Sequence, residues 1–176
     1  MEFSVIASTL ERLEKISSRT QLTLTLVELF KKTDPNSIDK VVYFIQGILW
    51  PEWYEKPELG LAEKGIIKSI ALATHTSEHE VEKLYKRMGD LGKVAEFLKQ
   101  QKQAKGTMGL TAFIKGPKGG KLMIDNVYNT LTRIAQAQGE GSRDLKIKLL
   151  TGLILDATPK EAKYIVRFVE GRLRLG

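Results

Sequence analysis

The chain has 176 residues, of which 42% are hydrophobic and 28% are charged, and its formal net charge is +7; it is long enough to bury the core of one domain. It contains no cysteine, which excludes disulfides and thiolate metal sites, and no apolar run approaches the ~18 residues of a membrane span. Its amphipathic, acid-containing start is not a signal or transit peptide, so an intracellular protein is expected.

Apolar residues recur at helical spacing almost throughout the sequence, which predicts an all-α fold. Helix starts carry capping-box signals at Ser18, Ser77 and Thr158, and the last of these adds a proline at the first helical position. The predicted helices span residues 3–16, 18–32, 35–47, 61–74, 77–88, 90–104, 124–138, 142–156 and 159–170.

Two connections interrupt the predicted helices. Residues 50–60 (WPEWYEKPELG) are rich in proline and aromatic residues and are predicted to pack on the core. Residues 104–121 are rich in glycine and lysine, a composition typical of a mobile basic loop or a short hairpin.

An internal repeat aligns residues 18–49 with residues 142–173 at an offset of 124, and nine of 32 positions are identical. The identities include cap residues and the glycine shared by VYFIQGIL (42–49) and VRFVEGRL (166–173). One interpretation is a duplicated helical unit that packs with pseudo-twofold symmetry. The other is that two helix pairs share a generic apolar pattern.

Charge is unevenly distributed along the chain. Residues 1–92 carry 12 Lys/Arg and 14 Asp/Glu, a net charge of −2, whereas residues 93–176 carry 16 Lys/Arg and 7 Asp/Glu, a net charge of +9. A basic half joined to a nearly neutral half indicates a polyanionic partner held on one face. The alternative is that the basic residues only make the surface soluble.

No motif of catalytic or metal-binding type is evident in the sequence. His75 and His79 have the spacing of a zinc pair, but Ser77 is the predicted N-cap between them and no third ligand is evident, so both are interpreted as surface residues. The segment GPKGGK (116–121) has the wrong spacing for a phosphate-binding P-loop.

Small residues and cations recur at three predicted helix starts. GEGSRDLK (139–146), ISSRTQ (16–21) and PELGLAEK (57–64) each combine glycine or serine with arginine or lysine. The first N–H groups of a helix lack internal partners and can bind oxyanions. Phosphate binding is one interpretation of these starts, and ordinary helix capping is the other.

The last predicted helix carries a basic stripe of Lys160, Lys163 and Arg167, which is predicted to be solvated. The chain then continues into Gly171-Arg172-Leu173-Arg174. In an extended segment the two arginines point to one side and the leucines to the other. This arrangement would let the leucines anchor the segment while the arginines contact phosphates.

Together these segments resemble the N-terminal DNA-binding domain of ATP-dependent DNA ligases of the archaeal and eukaryotic replicative type. The matching segments follow the expected order over nearly the whole chain: ISSR (16–19), PELGLAEKGIIKSIALAT (57–74), LYKRMGDLGKVAE (84–96), GEGSRDLKIKLLTGL (139–153) and EAKYIVRFVEGRLRLG (161–176).

The resemblance implies that the domain binds duplex DNA, nicked in the parent's reaction, across the minor groove and through backbone phosphates, without reading sequence. It implies contacts at Ser18, Arg19, Gly60, Lys64, Gly139, Gly141, Ser142, Arg143, Lys146, Gly171, Arg172 and Arg174. A duplicated unit would provide two similar backbone clamps for two antiparallel strands.

The resemblance also implies a longer parent ligase that acts in replication and repair. Ligation needs ATP, Mg²⁺ and a lysine nucleophile in a Lys-x-Asp-Gly motif, and no Asp-Gly dipeptide occurs in this sequence. The adenylation and OB-fold domains are therefore expected outside this stretch, which alone should neither ligate DNA nor hold a cofactor.

The resemblance also bears on a protein partner and on the location of the parent. Archaeal relatives carry a sliding-clamp attachment in this domain, and its candidate position here is residues 103–114. The implied location is the cytoplasm, at the nucleoid, or the nucleus in a eukaryote. The rival interpretation is a helical interaction scaffold whose basic half binds an acidic protein.

Overall fold

The computed structural model describes residues 1–105 and 121–175 of the chain. Within these ranges there are nine α-helices and no strand, which confirms the all-α prediction. The helices are α1 Phe3–Glu14, α2 Arg19–Lys32, α3 Ile38–Gln46, α4 Glu63–Thr74, α5 Glu78–Met88, α6 Leu91–Ala104, α7 Ile124–Gln136, α8 Ser142–Asp156 and α9 Pro159–Glu170.

Helix boundaries follow the capping chemistry of the sequence. The Thr158 hydroxyl accepts a hydrogen bond from the Glu161 N–H, and the Glu161 carboxylate accepts one from the Thr158 N–H, so this capping box is complete. The prediction for α3 began three residues too early, because residues 35–37 form a turn in which the Ser37 N–H donates to the Asp34 carbonyl.

Helix α9 forms the centre of the core. Every residue from Glu161 to Val169 is buried, and the helix packs against α6 and α1, while α4 packs against α8. Three aromatic rings meet beside α9: Phe44 stacks on Phe168 with ring centroids 4.6 Å apart, and Phe3 meets the Phe44 ring edge-on at 5.1 Å.

Two of the three residues of the basic stripe of α9 are buried, so the prediction that the stripe is solvated was wrong for Lys163 and Arg167; Lys160 is partly exposed and lies 2.7 Å from a carboxylate oxygen of Glu11. Lys163 is 7% exposed and lies 3.5 Å from a carboxylate oxygen of Glu96. Arg167 is 1% exposed and pairs with Asp90 at 2.7 Å and also with Glu14. These cations balance carboxylates contributed by neighbouring helices, which helical spacing alone does not reveal.

The close approach of α6 to α9 depends on Gly92. A Cβ atom at this position would lie 2.6 Å from the Lys163 carbonyl oxygen and 2.6 Å from Cγ of Arg167. We expect Gly92→Ala to destabilise the fold by about 2–4 kcal/mol, because backbone on both helices must shift. Chemical denaturation measures this free energy of unfolding.

Gly152 provides the matched control for that substitution. It lies within α8, and a Cβ atom there would meet nothing within 4 Å. Gly152→Ala should therefore leave the stability unchanged or raise it by about 0.5–1 kcal/mol, as alanine does in an open helix interior. Equal stabilities of the two variants would contradict the packing described for Gly92.

The aromatic connection at residues 50–60 packs on the core only in part, at its two ends. Trp53 is 83% exposed and Tyr54 is 52% exposed, whereas Trp50 and Leu59 contact the core. The Lys56 ammonium lies 4.7 Å from the centroid of the Tyr54 ring. The aromatic side chains of this connection are therefore divided between core and solvent.

The two copies of the proposed repeat end in the same local structure. Gly47 ends α3 with φ +76° and Gly171 ends α9 with φ +83°, and each glycine N–H donates to the phenylalanine three residues earlier in the chain. Those two phenylalanines stack on each other, as residues beside a twofold axis would. These features support a duplication, and pseudo-twofold symmetry stays a prediction.

The sequence analysis also made expectations about the loop at residues 104–121, membrane spans and metal sites. The loop predicted at residues 104–121 lies outside the described residues except at its ends. No described helix is long and apolar enough to cross a membrane. Among the described residues there is also no group of three or more His, Cys, Asp or Glu placed to hold a metal ion.

Candidate nucleic-acid interface

A cleft of about 830 Å³ opens where α3 and α9 end and the chain approaches α4. Gly47 lies on one side of it and Gly171 on the other, and the connection before α4 contributes Gly60. Phe168 and Trp50 form part of its apolar lining. The cleft thus brings together two predicted contact residues, Gly60 and Gly171, that are distant in sequence.

Lys146 lies directly behind Gly60. Its ammonium nitrogen donates to the Leu59 carbonyl at 2.8 Å and lies 2.8 Å from the point where a Cβ atom of Gly60 would stand. Gly60 is exposed and has φ +63°, a conformation that favours glycine. Lys146 was predicted as a DNA contact, and it is only 8% exposed, with its ammonium beside the space that the missing Cβ of Gly60 leaves.

No carboxylate among the described residues lies within 4 Å of the Lys146 ammonium. A buried cation without a counter-charge is unfavourable unless an anion approaches it. Because Gly60 has no Cβ atom, the space beside this ammonium is left unfilled by a side chain.

The start of α8 differs from the start that the repeat predicts. Ser142 is the first residue of the helix, and the N-cap is Gly141, which has φ +77° and no side chain that could cap the helix. In the first copy Ser18 is itself the N-cap and accepts from the Gln21 N–H at 3.4 Å. The first turn of α8 is therefore more open to an external acceptor.

The segment after α9 alternates in exposure as predicted. Leu173 and Leu175 pack on the core, whereas Arg172 and Arg174 are exposed. The segment is not fully extended, however, because Arg174 has φ +61°. Its guanidinium donates to the Gly89 carbonyl at 2.9 Å, so the end of α5 holds this arginine.

The other predicted contacts are exposed at helix starts. Arg19 opens α2, Arg143 lies in the first turn of α8, Lys64 lies in the first turn of α4, and Gly139 precedes α8 with φ +86°. No direct contact joins these four residues to the cleft.

Asp90 is a residue of this region that the sequence analysis missed. It caps α6 through the Lys93 N–H, pairs with Arg167, and lies 3.4 Å from Nε of Arg174. Burial raises the pKa of this carboxyl, but hydrogen bonding to Arg167 and its charge outweigh burial and hold the pKa below the ordinary value. Asp90 therefore stays ionised and links the core to the C-terminal segment.

Comparison with known proteins decides the family. The family described as DNA ligase N terminus matches residues 2–176. The chain belongs to this family. The ligase N-terminal domain is 59% identical over 179 residues to a DNA ligase of Hyperthermus butylicus and 60% identical over 179 residues to one of Staphylothermus marinus. It is 55% identical over 176 residues to a DNA ligase of Saccharolobus solfataricus.

Each alignment covers 100% of the ligase N-terminal domain but only 29–30% of the relative. The sequence thus corresponds to about three tenths of the length of these DNA ligases. The resemblance found from the short motifs is confirmed at the level of the family.

Proposed function

We propose that this domain binds duplex DNA through backbone phosphates, without sequence preference, as the DNA-binding module of an ATP-dependent DNA ligase. The parent protein would carry the lysine nucleophile, ATP and Mg²⁺ in other domains and would seal nicks in replication and repair. The twelve predicted contacts remain proposed contacts. Sliding-clamp attachment at residues 103–114 also remains a prediction, because most of that segment lies outside the described residues.

One observation carries this proposal: exposed arginines without a carboxylate partner lie at the starts of α2 and α8 and directly after α9, where contacts were predicted. Arg87 and Arg133, in the last turns of α5 and α7, are also exposed and form no ion pair with the described residues, but they are not predicted contacts. Within residues 1–105 and 121–175, Arg19, Arg143 and Arg172 form no ion pair, although ten ion pairs occur there. Arginine forms two parallel hydrogen bonds to phosphate, and exposed glycines beside it allow a backbone to approach closely. Lys146 behind Gly60 supports the same chemistry.

The placement of these groups favours phosphates over base edges. Arg19 and Arg143 lie in the first turns of helices, where N–H groups and a positive dipole end also attract anions. Helix α7 presents an exposed row of Asn126, Asn129, Arg133 and Gln136, whose side chains could hydrogen-bond to base edges, but none of these four is a predicted contact. Phosphate contacts position a protein on DNA and carry no sequence information.

Binding to unrelated duplexes tests the proposal against the scaffold alternative. Fluorescence anisotropy with two 20-base-pair duplexes of unrelated sequence should give dissociation constants equal within about threefold at low salt. Polyglutamate, an acidic polymer without phosphate geometry, should compete poorly. Absence of duplex binding at low salt, or equal competition by polyglutamate, would favour the scaffold.

A further inference from the structure

Glu170 places a carboxylate in the cleft that Gly60 and Gly171 also line. It is the last residue of α9, lines the cleft beside Gly171, and precedes Arg172 by two residues. Its Oε2 atom is buried and has no hydrogen-bond partner in the described part of the chain. A buried carboxylate oxygen without a donor is unfavourable, and the structure around it does not satisfy it.

Its position at a helix end adds to that cost. The last carbonyl groups of α9 carry partial negative charge, so a carboxylate there is repelled, whereas a neutral side chain is not. At the equivalent position of the first repeat, the last residue of α3 is Gln46, the uncharged counterpart of glutamate. The second copy thus has an ionisable group where the first has an amide.

Charged and titratable groups surround Glu170 on several elements. Those that act on it are Arg172 and Arg174 of the C-terminal segment, Asp90 at the start of α6, Glu63 in the first turn of α4, and Tyr85 of α5. Burial raises the pKa of Glu170, and Asp90 and Glu63 raise it further, while the two arginines oppose them. A phosphate in the cleft would act in the same direction as the acids.

We propose that ionised Glu170 weakens the binding of a phosphate backbone in this cleft, so that DNA binding is accompanied by uptake of a proton at this carboxyl. This inference rests on the proposed DNA-binding function. The carboxyl is neutral below the pKa of its folded environment and ionised above it. Affinity for DNA therefore falls as the pH rises beyond the ordinary glutamate range of about 4–5.

Glu170→Gln tests this proposal, because glutamine keeps the shape and removes the titration. We measure binding of one 20-base-pair duplex to both proteins from pH 4.5 to 8. The dissociation constants of the two proteins should agree at the lowest pH. At pH 8 the Glu170→Gln variant should bind the duplex about 3- to 10-fold more tightly than the unaltered protein. The ratio of the two dissociation constants at each pH cancels the pH effects that both proteins share.

Glu58→Gln is the matched control. Glu58 lines the same cleft but is exposed to solvent, so its substitution should change affinity by a factor that does not vary between pH 5.5 and pH 8. A constant ratio for Glu170→Gln over the whole range would overturn the inference while leaving DNA binding intact. Absence of duplex binding by the unaltered protein at every pH would overturn the proposed function and this inference with it.

A second measurement uses the unaltered protein. Carbon-detected NMR of the glutamate side chains gives the pKa of Glu170 with and without DNA. The inference predicts a higher pKa in the complex, and an unchanged or lower pKa would overturn it.

Discussion

Arg167→Ala is expected to lower the free energy of unfolding by about 3–5 kcal/mol, because it leaves buried carboxylates without their counter-charge. Asp90 is 3% exposed and pairs with this arginine at 2.7 Å. Glu14 pairs with it from α1 and also accepts a hydrogen bond from the Tyr164 hydroxyl at 2.5 Å. One guanidinium therefore joins α1, α6 and α9, and its removal affects all three helices.

An exposed ion pair provides the control for Arg167. Arg12 lies 3.0 Å from Glu28, but both side chains are about half exposed. Arg12→Ala should cost less than about 1 kcal/mol, since solvent screens such pairs. Guanidinium denaturation of both variants measures the difference. A loss below 1 kcal/mol for Arg167→Ala would mean that the buried network does not stabilise the fold.

Acid should weaken the same network. The folded pKa of Asp90 lies below its ordinary value, so its contribution to stability is present above pH ~4 and is lost as the pH falls through the folded pKa. The Arg167→Ala variant lacks the partner that lowers this pKa. Its stability should consequently decline less steeply below pH ~4 than that of the unaltered protein.

The exposed arginines at element ends are expected to contribute most of the affinity for duplex DNA. Replacing Arg19, Arg143 and Arg172 together by glutamine should weaken binding to every duplex about 100-fold at 0.1 M salt, because three phosphate contacts are lost at once. All three residues are exposed, so the fold should be retained. Unequal losses for two unrelated duplexes would indicate base readout and contradict binding through phosphates.

A control variant with the same net charge as the triple arginine variant distinguishes specific phosphate contacts from non-specific electrostatic attraction to DNA. Lys31 and Lys32 end α2, at the opposite end from Arg19, and Lys105 follows the last residue of α6, at the opposite end from Asp90. Changing these three lysines to glutamine removes the same charge away from the proposed surface. Affinity should fall less than about fivefold. A loss as large as that of the arginine variant would mean that net charge alone governs binding.

The sequence predicted the helices well because their ends carry local chemistry. Capping hydroxyls at Ser18, Ser77 and Thr158 act within three residues, and the left-handed Gly47 and Gly171 end helices by their own conformation. These signals need no knowledge of the rest of the chain. They account for the correct fold class and for most helix boundaries.

The burial of two residues of the α9 stripe could not be predicted from charge spacing. Lys163 and Arg167 are buried because carboxylates of α1 and at the start and middle of α6 face them, and those partners are between 67 and 153 positions away in the chain. One signal was nevertheless present. Apolar residues from Ala162 to Val169 cover about 200° of the helix surface, which is more than a surface helix needs.

The cleft and the placement of its ionisable residues could not be predicted from local sequence patterns either. The apposition of Lys146 and Gly60, and the presence of Glu170 in the same cleft as Gly60, depend on how α4, α8 and α9 pack. Family resemblance indicated several of the same residues. It did not indicate that Lys146 is buried or that Asp90 links the core to Arg174.

The salt dependence of duplex binding tests the central claim most directly. With about six phosphate contacts, the logarithm of the association constant should fall against the logarithm of salt concentration with a slope of roughly −5. The triple arginine variant should show a slope about three smaller in magnitude, near −2. A slope near zero for the unaltered protein, or no binding to duplex DNA at low salt, would contradict a phosphate-binding ligase domain.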